Sequence, residues 1–286
     1  MFARSSGGRF SVRMEDLDTV VSRLELADQQ LRDLAAIGID WDGEVVFQSA
    51  RTELYREAVS RLVEADRTYP CFCTRREIRD AASAPNGQPL PDGAYPGTCR
   101  HLTAHQRRGL IDAGRRPAQR VRADECVVTV VDDLCGAVEA TVDDFVIVRN
   151  DGVFAYNLAV VVDDAAQDIR QVVRADDLLL SSPRQRWLGQ QLGLPSVRYA
   201  HVPLVLGPDG QRLAKRHGAV SLVDLRSHGW SADAVRSLLL QNLGLAELGE
   251  AVGASDLLSR FASLVIERDA WRLSSDDLAA IRVPPR

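Results

Sequence analysis

Lysine is almost absent from this sequence. Of the 35 lysine and arginine residues in the 286-residue chain, only Lys215 is a lysine. A planar guanidinium cannot replace a compact ammonium on a flexible stem, so the one lysine indicates a position that needs this cation. The alternative is that Lys215 is a surface residue with no special role. Lys215 lies in the basic segment 211–218, after the predicted buried strand His201–Leu206 and a Gly-Pro-Asp-Gly turn. A basic loop after a strand is where α/β proteins hold phosphates.

Long apolar runs are also absent. No run approaches the roughly 20 residues that a membrane-spanning helix requires. The N-terminus lacks the charged-then-apolar pattern of a secretory signal. We therefore expect a cytoplasmic protein with no membrane partner.

The chain carries no overall positive charge, since its net charge is −5. Any RNA contact must therefore come from a local patch rather than from the field of the whole protein. One such patch is the segment 100–122, which holds seven arginines and two histidines against the single acid Asp112. This segment predicts either an RNA-binding surface or a solvated loop.

The sequence contains only five cysteines, so they cannot all be paired in disulfides within the chain. In a reducing compartment such cysteines favour a metal site or inert core packing over disulfides. Cys71 and Cys73 alternate on an extended segment, and Cys99 follows a Pro-Gly turn after a loop rich in proline and glycine. Three cysteines brought together by a loop suggest structural zinc with four tetrahedral ligands, against three buried apolar thiols. The fourth ligand is either Tyr95 or His101, and general ligand frequencies favour the histidine.

The order of predicted elements is that of an α/β protein. A strand over Arg9–Met14 is followed by an amphipathic helix over 20–37, a short strand over Val45–Phe47 and a second helix over 52–65. Residues 119–142 predict an antiparallel meander carried as an insert. Further helices are predicted over 102–114, 184–192, 221–226 and 232–244, with helix and loop from 245 to 286.

Charged side chains follow several predicted strands at their carboxyl ends, the edge at which doubly wound sheets bind ligands. Glu15 follows the first strand. Phe154–Val162 predicts a long buried strand, which would place Asp163 and Asp164 at the same edge. Arg174 lies where another short strand ends.

Five motifs occur together and in this order: Arg13–Asp18, Tyr69–Arg75, Tyr95–Arg100, Phe154–Asp164 and Arg212–Arg216. Jointly they resemble the glutamyl-queuosine tRNA(Asp) synthetases, shortened relatives of the catalytic half of class I glutamyl-tRNA synthetases. The resemblance covers nearly the whole chain. Each motif alone is weak, whereas the joint pattern is specific.

The resemblance implies ATP-dependent activation of glutamate, with magnesium, and transfer to the queuosine base in the anticodon loop of tRNA(Asp). It implies that Glu15 holds the α-amino group of glutamate, that Tyr156 hydrogen-bonds this substrate and that Arg174 pairs with its carboxylate. Lys215 would belong to the mobile loop that binds ATP and neutralises its triphosphate during catalysis. Tyr95, rather than a histidine, would complete the zinc site with the three cysteines.

The fold implied is α/β: a Rossmann-like parallel sheet of the class I type with an inserted zinc-bearing α+β subdomain and a C-terminal helical segment. We expect a monomer. The predicted divisions are a first half of the nucleotide-binding fold at 1–65, the zinc-bearing insert at 66–148, the second half with the lysine loop at 149–226, and the helical segment at 227–286.

The chain departs from the family pattern mainly at its start. No histidine precedes His101, so the His-Ile-Gly-His-like loop that cradles ATP in class I synthetases is absent. We expect that Met1 is a misassigned start and that the natural protein begins upstream. The alternatives are a catalytically inactive, zinc-containing RNA-binding remnant and a fragment of an ordinary glutamyl-tRNA synthetase. Smaller departures are Ala214 for serine and Ala175 for glycine.

Overall fold

The computed structural model describes residues 1–18, 22–82, 95–213 and 221–274. Its helices are α1 (Phe2–Ser5), α2 (Leu24–Ala36), α3 (Thr52–Glu64), α4 (Arg75–Ala82), α5 (Ala104–Asp112), α6 (Tyr156–Ala166), α7 (Ser182–Gln191), α8 (Leu222–Ser227), α9 (Ala232–Asn242) and α10 (Ala254–Ala262). Its strands are β1 (Arg13–Met14), β2 (Val46–Phe47), β3 (Thr68–Cys71), β4 (Ala118–Val121), β5 (Cys126–Asp132), β6 (Gly136–Val142), β7 (Val146–Val148), β8 (Gln171–Ala175), β9 (Arg198–Val202), β10 (Val205–Leu206) and β11 (Trp271–Arg272).

The chain forms two compact units. The first unit comprises Met1–Phe47, Val173–Asp177 and His201–Arg286, and the second comprises Gln48–Val172 and Leu178–Ala200. The four divisions proposed from the sequence stay a prediction. Among the described residues, no helix has the length and apolar character needed to cross a membrane.

The first unit is built from short parallel strand pairs and helices. Strand β1 pairs with β2, and β10 pairs with β11, both in parallel. Val12, Met14 and Ala27 form the buried centre beside the first pair. Helix α2 ends before Gly38, whose φ of +82° suits glycine. Helices α8 and α9 each begin after a serine N-cap. The hydroxyls of Ser221 and Ser231 accept the backbone N–H groups three residues ahead.

The second unit contains most of the sheet structure. Strands β3, β4 and β7 form an antiparallel sheet. Strands β5 and β6 form a hairpin that turns at Gly136, whose φ is +77°, and they belong to a sheet with the order β6-β5-β9-β8. Asp132 of β5 pairs with Tyr199 of β9 in parallel. The meander predicted over 119–142 is therefore confirmed only for the β5–β6 hairpin, because β4 belongs to the other sheet, between β3 and β7.

The long strand predicted over Phe154–Val162 is wrong, because this segment forms helix α6. Leu158, Ala159, Val160 and Val162 are all buried in it. Even the half-buried position Val161 carries an apolar side chain, so the run 158–162 has no period that separates a helix from a buried strand. Asp163 and Asp164 accordingly lie in a helix and not at a sheet edge.

Asp163 has a structural role inside the second unit. Its side chain is fully buried, and its carboxylate accepts hydrogen bonds from three donors of the second unit. The donors are Arg51 Nε at 2.6 Å, Tyr55 Oη at 2.8 Å and Gln48 Nε2 at 2.9 Å. The carboxylate thereby ties the start of α3 to α6.

Other predicted elements change mainly in length. The first strand shrinks to Arg13–Met14, and the helix predicted over 20–37 is described from Leu24. The strand predicted over His201–Leu206 divides at Pro203 into β9 and β10, since proline cannot donate to a sheet ladder. The terminal segment, predicted as helix and loop, also contains β11. Strand β8 confirms the strand predicted at Val172–Arg174.

Candidate functional site

The three cysteines singled out by their spacing converge in the second unit. Cys71 ends β3, Cys73 follows it, and Cys99 lies in a turn before α5. Cys71 and Cys99 are buried, Cys73 is half-buried, and the three Sγ atoms lie within 4.8 Å of one another. Cys73 and Cys99 approach to 3.5 Å. Such convergence is the arrangement that a metal ion requires.

The Tyr95 hydroxyl joins this cluster. Its oxygen lies 3.4 Å from Cys71 Sγ and 3.7 Å from Cys73 Sγ. It also accepts the backbone N–H of Cys99 at 2.8 Å. His101 is exposed and is not among the grouped side chains. Of the two alternatives left open by the spacing, the structure brings Tyr95 to the thiols.

Three of the donor separations can be compared with those in a tetrahedral zinc site. Zn–S bonds of about 2.3 Å and a Zn–O bond of about 2.0 Å separate tetrahedral sulfurs by about 3.8 Å, and sulfur from oxygen by about 3.5 Å. The observed separations of 3.4, 3.5 and 3.7 Å are close to these values. The chemistry of the donors, soft thiols with one phenol, also suits zinc. The residues present therefore fit the metal.

Burial and charge set the protonation of the donors. Burial raises the pKa of the Cys73 thiol to about 12 and is also the main cause that raises the pKa of Tyr95. Burial alone would raise the pKa of Cys71 too, but the charge of Arg120 and hydrogen bonds, including one with Tyr95, hold this pKa below its usual value. A bound metal must displace protons from Cys73 and Tyr95, so its affinity depends on pH.

Two adjacent acids that the sequence reasoning missed support the cluster. Asp143 accepts the Tyr95 N–H at 3.1 Å and pairs with Arg184 at 2.6 Å. Asp144 is buried, and its carboxylate accepts Arg100 Nη1 at 2.9 Å. It also accepts the Tyr69 hydroxyl at 2.7 Å and the Ala123 N–H at 2.7 Å. Only their position just after β6 hinted at this role.

The basic segment 100–122 is used partly for structure. Arg115 donates to Glu77 at 2.6 Å and to the Phe72 carbonyl at 2.7 Å, and Arg120 is buried. Arg108 and Arg116 are exposed. The surface available to a polyanion is therefore smaller than the composition of the segment indicated.

The residues expected to hold substrate are distributed over the two units. Glu15 is exposed just after β1, and Arg174 is half-buried in β8, both in the first unit. Tyr156 opens α6 in the second unit and is 39% exposed. Lys215, with the segment 214–220, lies outside the described residues.

Arg174 has a partner that the sequence reasoning did not identify. Its Nε donates to Nε2 of His201 at 3.0 Å, and His201 is 2% exposed. Because a guanidinium is always protonated, Nε2 of His201 must accept, which places the ring proton on Nδ1. Arg212, which precedes Lys215 by three residues, forms an ion pair with Asp177 at 2.8 Å.

Comparison with known proteins gives consistent results. The family model for tRNA synthetases class I (E and Q), catalytic domain, matches residues 1–268. A glutamyl-Q tRNA(Asp) synthetase of Nocardia farcinica is 52% identical over 278 residues, which are 97% of this chain and 86% of that protein. One of Symbiobacterium thermophilum is 42% identical over 292 residues, covering 98% of this chain and 90% of its own.

A solved structure with the same fold is a glutamate tRNA ligase of Elizabethkingia meningosepticum in complex with its amino acid. The TM-score is 0.77 at 22% sequence identity, over 98% of this chain and 63% of that chain. At this identity the likeness concerns the fold, which is therefore the mixed α/β fold of class I synthetases.

Proposed function

Because the chain belongs to the family of class I tRNA synthetases (E and Q), we propose that it activates glutamate with ATP and transfers the glutamyl group to the queuosine base of tRNA(Asp). The observation that carries this proposal is the 52% identity, over 97% of the chain, with a protein named glutamyl-Q tRNA(Asp) synthetase. The acceptor in this proposal is the anticodon loop.

Arg174 is the proposed partner of the glutamate carboxylate, through a charge-assisted fork. Its bond to the buried His201 supports this role, because it fixes the plane in which the guanidinium presents its other N–H groups. Tyr156 would hydrogen-bond the amino acid, and Glu15 would bind the α-ammonium. The exposure of Tyr156 and Glu15 is compatible with a ligand.

Lys215 is the proposed catalytic residue. When the glutamate carboxylate attacks the α-phosphorus of ATP, negative charge builds on the triphosphate, and a positioned ammonium stabilises it. Magnesium would accompany ATP as part of the substrate. The retention of lysine at this single position of an arginine-rich chain supports a role that a guanidinium does not fill.

The proposed zinc ligands are Cys71, Cys73, Tyr95 and Cys99. Bound zinc would supply structural cross-linking rather than chemistry, as in sites with all four positions occupied by protein. These residues bring the end of β3 together with Tyr95 and with the turn that precedes α5.

Activation is tested by glutamate-dependent exchange of pyrophosphate into ATP. We expect exchange with glutamate and not with glutamine or aspartate, and at least a tenfold loss in Lys215→Arg, which keeps the charge but changes its shape. The assay is run on this chain and on a version extended to the next upstream in-frame start. Silence in both would refute the activation step and favour an RNA-binding remnant.

The acceptor is tested with labelled glutamate and two forms of tRNA(Asp), one with queuosine and one without. Only the modified tRNA should be labelled, and removal of its 3′-terminal adenosine should leave labelling intact. Charging of tRNA(Glu) at the 3′ end would contradict the proposed acceptor.

A further inference from the structure

Arg120 is a buried arginine beside the candidate metal centre. It lies on β4 opposite Tyr69 of β3 and is 6% exposed. Since alternate residues of a strand share a face, Arg120 lies on the same face of this sheet as Cys71. Its guanidinium carbon is 3.7 Å from the centroid of the Tyr95 ring, and Nη1 donates to the carbonyl oxygen of Asp144 at 2.8 Å.

Arg120 forms no ion pair with an acid among the described residues. Buried arginines are normally paired with a carboxylate, because an isolated buried charge is unfavourable. Within the part of the chain that the structure describes, Arg120 forms no ion pair, and its buried Nε has no hydrogen-bond partner. The nearby carboxylate of Asp144 is instead bound by Arg100. Arg120 therefore needs negative charge on the side where Tyr95 and Cys71 lie.

The proposed metal centre supplies that charge. Three thiolates and one phenolate around a divalent zinc ion leave two excess negative charges. The guanidinium also lies against the face of the Tyr95 ring, so its charge is held next to this proposed donor.

We propose that Arg120 is the counter-ion of the metal centre: its buried positive charge offsets the net negative charge of the four-donor set around the zinc ion. This inference rests on the zinc site of the proposed function, but not on the substrate or the reaction. Arg120 touches no reacting atom and acts as a positioning residue through Tyr95 and Cys71.

Zinc affinity measured by competition with a chromogenic chelator tests the proposal. Arg120→Met, which keeps length and removes charge, should bind zinc on the order of 10–100-fold more weakly. Arg120→Lys should stay within a few-fold of the wild type. Arg116→Met, which removes an exposed arginine four residues away, is the matched control and should bind as the wild type does.

A second comparison shows whether Arg120 acts through Tyr95. In a Tyr95→Phe background the loss of zinc affinity caused by Arg120→Met should shrink, because one of the donors whose negative charge Arg120 offsets is gone. Arg120→Gln, which is neutral and still donates a hydrogen bond, is used if the methionine variant fails to fold by circular dichroism.

Each outcome decides the matter. Unchanged zinc affinity in Arg120→Met and Arg120→Gln would overturn the counter-ion role. An equal loss of zinc affinity in Arg120→Lys would also overturn it, because the shape of the side chain rather than its charge would then matter. A wild-type chain that binds no zinc would overturn the metal site and this inference together, whatever pyrophosphate exchange shows. The expected result is weakened zinc binding in Arg120→Met and Arg120→Gln but not in Arg120→Lys or in the Arg116→Met control.

Discussion

Replacement of Asp163 by alanine should lower the free energy of unfolding of the second unit by about 3–5 kcal/mol, the range for removing one partner of a buried ion pair. The carboxylate is fully buried and satisfies Arg51 at 2.6 Å, Tyr55 at 2.8 Å and Gln48 at 2.9 Å. Arg51 keeps 20% exposure and can regain some water, whereas Tyr55 and Gln48 are buried and would lose their acceptor. We therefore expect a value nearer the lower end.

Urea unfolding followed by circular dichroism measures this loss. For a slope of about 2 kcal/mol per molar urea, the midpoint should fall by about 1.5–2.5 M. Glu53→Ala removes an exposed ion pair with Arg56 on the same helix and should change stability by less than about 1 kcal/mol.

A double-mutant cycle with Arg51→Met separates the pair from its surroundings. The double variant should be more stable than the sum of the two single losses predicts, because the second substitution removes a charge that is already uncompensated. If Asp163→Ala unfolds within about 1 kcal/mol of the wild type, or if the two losses simply add, the carboxylate does not hold α3 to α6 and the reasoning is wrong.

Two further predictions concern the first unit. His201→Leu should raise KM for glutamate about 10–100-fold with a smaller effect on kcat, because the charged guanidinium of Arg174 loses the hydrogen-bond acceptor that orients it. His201→Gln, which keeps an acceptor, should recover most of the affinity, and equal KM values in wild type and both variants would refute the orienting role. The hydrogen bond from Arg260, followed by the Glu247 N–H, lowers the pKa of Glu250 to about 2, from an ordinary value of 4.5. This pair stabilises the fold above pH 4.5, and its contribution disappears as pH falls toward 2, so melting temperatures of wild type and Glu250→Gln should converge over that window and differ by a constant amount at higher pH.

Local sequence signals determined many element boundaries. Serine caps, glycines of positive φ and Pro183 in the first turn of α7 act within three or four residues, so the sequence shows them directly. The three cysteines of the candidate metal centre were equally visible, because their spacing around a loop already limits what they can do.

The fourth donor was not determined in this way. Tyr95 and His101 lie at comparable distances along the chain from Cys99, and ligand frequencies favoured the histidine. Only the folded loop brings the Tyr95 hydroxyl to the thiols and leaves His101 exposed. The resemblance to known synthetases selected Tyr95, whereas the residues alone did not.

Tertiary structure decided the conformation of α6 and the partners of the buried Asp163 and Arg120. Residues 158–162 are apolar at every position, including the half-buried Val161, so this run lacks the alternation of polar and apolar residues that separates a helix from a buried strand. Asp163 finds its donors 108 to 115 residues away, and Arg120 of β4 contacts the ring of Tyr95, which lies in a loop before α5. The sequence by itself determined the family, the local caps and turns and the thiols. Burial and pairing between distant residues decided the rest, because the energy of a buried charge depends on partners that chain order does not specify.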